Sequence, residues 1–378
     1  MSAKLANIGT SIFAIMSKMA NEYNAINLSQ GFPDFNCSSE LIQLVNKYMK
    51  EGYNQYAPME GVIKLRQKIV EKTEFLYNAK YNPESEVTIT AGATQAIFSA
   101  ITTFINEGDE VIVFEPAYDS YVPAIILNGG QPVYVQLKYP DFHIDWDEVQ
   151  KAISSRTRMI IINSPHNPSG STLNDEDMKM LEKITLGSNI LILSDEVYEH
   201  IIFDNLEHLS VTIYPKLSER SLVISSFGKT FHTTGWKLGY CVAPEKLMKA
   251  FRKIHQFVVF AVNTPIQLAV ADFLDQKDQY LNLNDFYQQK RDYFFSLMKN
   301  TRFEILPSQG TYFQLLSYKN ISDEKDTMFA ERLTKEFGVA SIPISVFYNE
   351  KTDNKVLRFC FAKSNETMEL AASKLSKI

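Results

Sequence analysis

Between residues 87 and 245 the chain alternates short apolar, largely β-branched runs with longer stretches of helical spacing. Val87 to Thr90 predicts a strand, followed by a small-residue turn and a helix from about Thr94 to Asn106. Glu110 to Phe114 predicts the next strand, entered through the Gly108-Asp109 turn. A helical stretch stops at Gly129-Gly130, before a strand at Val133 to Leu137. Asp145, with Glu148 three residues on, has the spacing of a capping box that opens another helix. Met159 to Asn163, Ile190 to Ser194 and Leu222 to Ser226 are further apolar runs of strand length. Strands without polar positions have both faces buried, so the pattern predicts an α/β fold with a mostly parallel sheet under helices on both sides. Such sheets bind ligands beyond the carboxyl ends of their strands. The residues just after each strand are therefore the ones to inspect.

After about residue 280 the texture changes. A polar helix, Asp285 to Lys299, precedes shorter mixed strands at Tyr312 to Leu316 and Val356 to Phe361, and a last helix starts near Glu366. This predicts a large domain over residues 46–280 and a smaller α+β domain over 281–378, with residues 1–45 as an arm that joins the smaller one. Two domains suit 378 residues.

Composition narrows the function classes. A net charge of −6 with dispersed Lys and Arg argues against nucleic acid or an anionic membrane as the main partner. Cys37, Cys241 and Cys360 are isolated, which predicts reduced thiols in a cytoplasmic protein. The six histidines make no metal-binding pattern, so no metal is expected. The apolar run Ile12 to Met16 is too short for a secretory signal, and no run of about 18 apolar residues suggests a membrane span.

Four strand ends carry chemistry. Ala91-Gly92-Ala93-Thr94 has the small residues that let backbone N–H groups and a hydroxyl meet a phosphate at a helix start, or simply make a tight turn. Pro165-His166-Asn167-Pro168-Ser169-Gly170 holds an amide rigidly in a loop. Asp195 ends a buried strand, where a carboxylate needs a cationic or hydrogen-bonding partner or serves as a helix cap. Lys229, between Gly228 and Thr230 after the strand ending at Ser226, is placed to be desolvated and so a competent amine nucleophile.

Taken together these segments resemble the class I, fold-type-I pyridoxal-phosphate aminotransferases, closest to the methionine and glutamine/kynurenine aminotransferase branch. The resemblance rests on Asn27-Leu28-Ser29-Gln30-Gly31-Phe32-Pro33-Asp34-Phe35, Asn54-Gln55-Tyr56, Glu115-Pro116-Ala117-Tyr118, Asn167-Pro168-x-Gly170, Asp195-x-x-Tyr198, Ser226-x-x-Lys229 and Leu357-Arg358-Phe359-Cys360-Phe361. It implies that Lys229 carries pyridoxal 5′-phosphate as a Schiff base and moves protons. Asp195 would face the ring nitrogen and keep the ring an electron sink. Asn167 and Tyr198 would hold the ring oxygen, with Tyr118 and Val197 on the two ring faces. Ala93, Thr94, Ser226 and Lys237 would hold the phosphate, joined by Tyr56 from a second subunit of a homodimer with shared active sites. Many aminotransferases have arginine where Lys237 stands, and lysine lacks its bidentate fork.

For substrate, the resemblance gives Arg358 to the α-carboxylate, helped by Asn167 and the Gly31 backbone. It makes Phe13, Phe32, Phe347 and Tyr348 candidate pocket walls. No second arginine suits a dicarboxylate, which favours methionine, aromatic amino acids, kynurenine or glutamine as donor to a 2-oxo acid. A C–S β-lyase acting on cysteine conjugates or cystathionine would use the same fold and lysine. A catalytically dead regulator is disfavoured by the presence of both Lys229 and Asp195.

Overall fold

The computed structural model describes residues 4–5 and 8–378. The chain opens with a helix, Ile12–Glu22, and a two-residue strand β1 (Ile26–Asn27). A central sheet then takes seven strands: β2 (Val87–Thr90), β3 (Glu110–Glu115), β4 (Gln131–Gln136), β5 (Thr157–Asn163), β6 (Leu191–Asp195), β7 (Ser221–Ser226) and β8 (Gly239–Val242). Their order is β2-β8-β7-β6-β5-β3-β4. β3, β4, β5, β6 and β7 pair in parallel, whereas β8 runs antiparallel to both its neighbours. The single reversed strand brings the end of β2 and the end of β7 to the same edge of the sheet as β5 and β6.

Successive residues of each central strand enter different cores. Val111, Val113, Met159, Ile161, Leu191 and Leu193 pack with the helices Ala93–Phe104, Tyr121–Leu127 and Glu245–Val258. Ile112, Phe114, Ile160, Ile162 and Ile192 face the other side, with Met178 and Leu181 of the helix Asp175–Thr185. This is the two-residue period of a strand expressed on central strands that have no wet face, while the edge strand β4 is partly exposed. Truncating one such side chain, Ile192 to alanine for instance, costs about 2–5 kcal/mol.

The last third builds a four-stranded antiparallel sheet from β9 (Glu304–Ile305), β10 (Phe313–Ser317), β12 (Ile342–Pro343) and β13 (Val356–Cys360), in the order β12-β13-β10-β9. β11 (Val339–Ala340) pairs in parallel with β1, so the start of the chain is stitched to its last third. The expected helix over 285–299 runs Leu283–Met298, and the final helix is Asn365–Leu375. Asp145 caps its helix, accepting from the Asp147 and Glu148 N–H groups. The reciprocal box is found instead at Asn174 and Asp177. Among the described residues no helix is long and apolar enough to cross a membrane.

Candidate active site

The ends of β2, β5, β6 and β7 surround a cavity of about 130 Å³. Its walls include Ala93, Thr94, Tyr118, Asn167, Asp195, Val197, Tyr198, Ser226, Lys229 and Lys237. Segments up to 144 residues apart, from Ala93 to Lys237, thus meet at one place, most of them as strand-end turns of one sheet.

One end of the cavity is built for an anion. The helix Ala93–Phe104 starts there with no side chain capping its first turn and no acid within it, so its N–H dipoles are open to a ligand. Gly92 has φ +79°, and a methyl group on it would lie 3.4 Å from the Lys237 amine. That contact is ordinary, and it is the left-handed φ that favours glycine here. Thr94 donates or accepts at 3.3 Å with the Tyr118 hydroxyl.

The acid lies deeper. Asp195 is buried, and its Oδ2 accepts from the Tyr121 hydroxyl at 2.6 Å. The Val197 N–H reaches its Oδ1 at 3.4 Å. Burial pushes its pKa up to about 6, while the Tyr121 and Val197 hydrogen bonds pull it down. Asn163 braces the floor: its amide donates to the Asp195 carbonyl at 2.8 Å, and its side-chain oxygen accepts from the Asn167 N–H at 2.7 Å.

Lys229 ends in the same space. Its Nζ donates to the Tyr312 hydroxyl at 2.6 Å and to the Gly31 carbonyl at 3.2 Å. Burial lowers its pKa to about 8, so near neutral pH far more of it is the free amine that a carbonyl or a carbon acid requires than for an exposed lysine. The rings of Tyr198 and Tyr312 meet edge-on, 5.2 Å apart.

Beside Asn167 lies Arg358, 1% exposed. Its Nη1 donates to the Asn167 side-chain oxygen at 2.8 Å and its Nη2 to the Ser29 carbonyl at 2.9 Å. The guanidinium stands 3.8 Å from the Phe313 ring centre, 5.1 Å from Phe13 and 5.7 Å from Phe347. Its Nε has no partner, and among the described residues no carboxylate lies within ion-pair distance. Burial pulls its pKa down to about 10. A buried cation in an aromatic cage with an orphan N–H is left with hydrogen-bonding capacity that a carboxylate could satisfy.

The sequence profile of the aminotransferase class I and II family matches residues 23–375. The chain belongs to that family. A methionine aminotransferase of Escherichia coli is 48% identical over 377 residues, covering 100% of this chain and 98% of its own. A kynurenine–oxoglutarate transaminase of Dictyostelium discoideum is 34% identical, covering 100% and 96%. A solved Escherichia coli structure with an identified methionine aminotransferase function superposes with a TM-score of 0.98, at 47% identity and with 100% and 99% of the two chains covered.

The aminotransferase therefore works with pyridoxal phosphate, and its cavity suits that molecule. A phosphate needs the open helix start and Lys237; a pyridinium N–H needs a buried carboxylate; an aldehyde carbon needs an amine of lowered pKa. The three stand in one enclosed space, formed by Ala93, Lys237, Asp195 and Lys229.

Of the anticipated residues, Tyr56 is not in the cavity. It is 81% exposed, edge-on to Phe260 at 5.0 Å. Phe13 and Phe347 do stand at Arg358, but Phe32 lies half-exposed under the Lys363 amine, and Tyr348 is buried in the neighbourhood of Glu115. Tyr121, Asn163 and Tyr312 were not singled out in the sequence. Tyr121 follows Tyr118 by three residues, one turn on, and Asn163 closes a strand already marked, so both carried a usable signal. Tyr312 carried none, since its contacts lie 83 and 281 residues away. A larger cavity of about 540 Å³ lies behind Asn163 and His166. Two of its acids are engaged, Asp177 by Trp146 and the Asn174 N–H, and Asp175 by Tyr214 and Lys179, and no lysine lines it.

Proposed function

We propose that this aminotransferase moves the amino group of a neutral, bulky L-amino acid (methionine, an aromatic amino acid, kynurenine or glutamine) to a 2-oxo acid. The observation that carries the reading is Arg358, buried among Phe13, Phe313 and Phe347 without a carboxylate partner. It suits the α-carboxylate that all amino acids share, and its phenylalanines offer an apolar wall to the rest of the substrate. No arginine lines the cofactor cavity to take a second carboxylate. The named activities of the Escherichia coli and Dictyostelium relatives point the same way.

The residues divide the work. Ala93, Thr94, Ser226 and Lys237 bind the phosphate; Tyr118 and Val197 flank the ring; Asn167 and Tyr198 hold its oxygen; Asp195 holds its nitrogen. The bound cofactor supplies the electron sink that lets a proton leave the substrate α carbon. Lys229 takes that proton at Nζ and returns it to the neighbouring carbon. Arg358 and Asn167, with the Gly31 backbone, fix the substrate carboxylate so that the α C–H bond is held in place. The same proposal includes the division into residues 1–45, 46–280 and 281–378, a cytoplasmic location, and a homodimer in which Tyr56 completes the partner subunit's phosphate site.

Borohydride reduction of the holoenzyme should fix the cofactor on Lys229, and label on another lysine overturns the assignment. A donor panel tests the substrate. Methionine and aromatic amino acids should exceed aspartate in kcat/KM by about tenfold or more, the scale of losing about 1.4 kcal/mol of apolar contact. Preference for aspartate or glutamate refutes the reading, and pyruvate and ammonia released from a cysteine conjugate without oxo acid would instead reveal a C–S lyase.

A further inference from the structure

The Tyr312 hydroxyl lies between two groups of different kinds. It donates its proton to the Gly31 carbonyl at 2.5 Å and accepts from the Lys229 Nζ at 2.6 Å. Lys229 also donates to that same carbonyl, at 3.2 Å. The three atoms form a closed triangle drawn from three remote parts of the chain: Gly31 near the start, Lys229 after β7, and Tyr312 immediately before β10.

The triangle has a consequence for the lysine nitrogen. A hydroxyl whose proton is committed to a carbonyl can only accept. Lys229 therefore faces two acceptors and no donor among these partners. A neutral amine has two N–H bonds and one lone pair, so the two acceptors occupy both N–H bonds and leave the lone pair as the remaining tetrahedral position. The arrangement orients the amine as a proton acceptor. Gly31 lets its carbonyl come this close: a methyl group there would lie 2.5 Å from the Phe313 ring and 3.1 Å from the Tyr312 ring. The lysine is partly buried at the cavity wall, with the rings of Tyr198 and Tyr312 5.5 and 5.2 Å from Nζ.

We propose that Tyr312 is the positioning residue for Lys229, a fixed hydrogen-bond acceptor that, with the Gly31 carbonyl, docks the free amine lone-pair-outward for the proton transfer. Tyr312 moves no proton of its own, and no bond forms or breaks at its oxygen. This rests on the reading of Lys229 as the amine that takes the α proton.

The test compares holoenzymes that all retain Lys229. Tyr312→Phe removes the acceptor and keeps the ring. It should bind pyridoxal phosphate as wild type does and keep KM for methionine within about threefold. Its kcat should fall roughly 10- to 100-fold, the scale of one hydrogen bond to an ionisable group. The isotope effect with α-deuterated methionine should rise, because the loss falls on the proton transfer. A second readout needs no turnover. In cofactor-free protein, trinitrobenzenesulfonate labelling of Lys229 should reach half its maximal rate at a pH lower by about half a unit or more, since an ammonium loses more than an amine when an acceptor is removed. If Tyr312→Phe does not fold or take up cofactor, Tyr312→Gln and Tyr312→Met give the same comparison. The two match in length but only glutamine has a strong acceptor, and it should be about tenfold the faster. Unchanged kcat and labelling, a loss confined to KM or cofactor affinity, or equal rates for the Gln and Met variants overturns the proposal. Failure of the underlying reading looks different: Lys229→Ala would then retain wild-type turnover.

Discussion

A carboxylate buried at a strand end is poised between two protonation states, and its neighbours decide which prevails. At Asp195 burial favours the neutral acid, while the hydrogen bonds from Tyr121 and Val197 favour the anion. Asp195→Asn should slow transamination by several orders of magnitude with the fold intact; a loss below about tenfold, roughly 1.4 kcal/mol of barrier, would sink its role at the ring nitrogen. Tyr121→Phe should act more gently and through pH. Removing a donor to the anion raises the Asp195 pKa, so the acid limb of the kcat/KM profile should move to higher pH, and activity should recover as pH rises. A profile displaced downward or left in place contradicts that coupling. Arg358→Ala makes a third case. It should lower kcat/KM for all amino donors by a similar factor, because each presents the same carboxylate; selective loss for one donor would assign Arg358 to the side chain instead.

Beneath the cavity, elements are tied by a charged knot. Glu199, one residue beyond Tyr198, accepts from Lys72 at 2.7 Å, Ser225 at 2.7 Å, Tyr240 at 3.1 Å and Tyr77 at 2.6 Å. It thereby joins the helix Ile63–Tyr77 and strands β7 and β8 to the loop that carries Tyr198. Burial alone would raise its pKa, but the Lys72 ammonium and the hydrogen bonds from Lys72 and Tyr77 hold it well below the usual carboxylate range. A depressed carboxylate pKa contributes stability above its unfolded value, and that stability is lost as pH falls through the folded one. Glu199→Gln should therefore cost about 3–5 kcal/mol at pH 7, because it leaves Lys72 buried without a counter-charge. The Tm gap to wild type should narrow as pH drops below the ordinary glutamate range; a gap that widens in acid rules this out. Such ties explain what could be read from the sequence. Strands β2, β3, β5, β6 and β7 were legible because strands buried on both faces write themselves as mostly apolar runs, and the chemistry sits just after them. The helices before residue 78, the reversed β8 and the β1–β11 pairing were not, since their partners are fixed by contacts between distant segments. The same holds for Tyr312 and for the Lys72–Glu199 pair, 127 residues apart.

At the scale of the whole molecule, one residue proposed for the phosphate site, Tyr56, lies outside the cavity. Tyr56 projects from a segment held by the Thr264 hydroxyl, which donates to the Gln55 carbonyl at 2.6 Å. It shares the surface with Phe260, 62% exposed, and Phe257, 86% exposed. Three aromatic side chains in water are a costly surface for a lone subunit and an ordinary one for an interface. A second copy covering this face would bring Tyr56 to its partner's cavity, as the family resemblance implies. Mixed subunits test this directly. Chains carrying Lys229→Ala are combined with chains carrying Tyr56→Ala, and the heterodimer is isolated through different affinity tags. If Tyr56 acts across the interface, one site receives both defects and the other is wild type throughout. About half of wild-type activity should then return, with tight cofactor binding at one site per dimer. If Tyr56 acts within its own chain, each site keeps one defect and neither is intact. A heterodimer no more active than the Tyr56→Ala parent would therefore exclude the shared site. A chain that stays monomeric at micromolar concentration with full activity would exclude the dimer as the working unit.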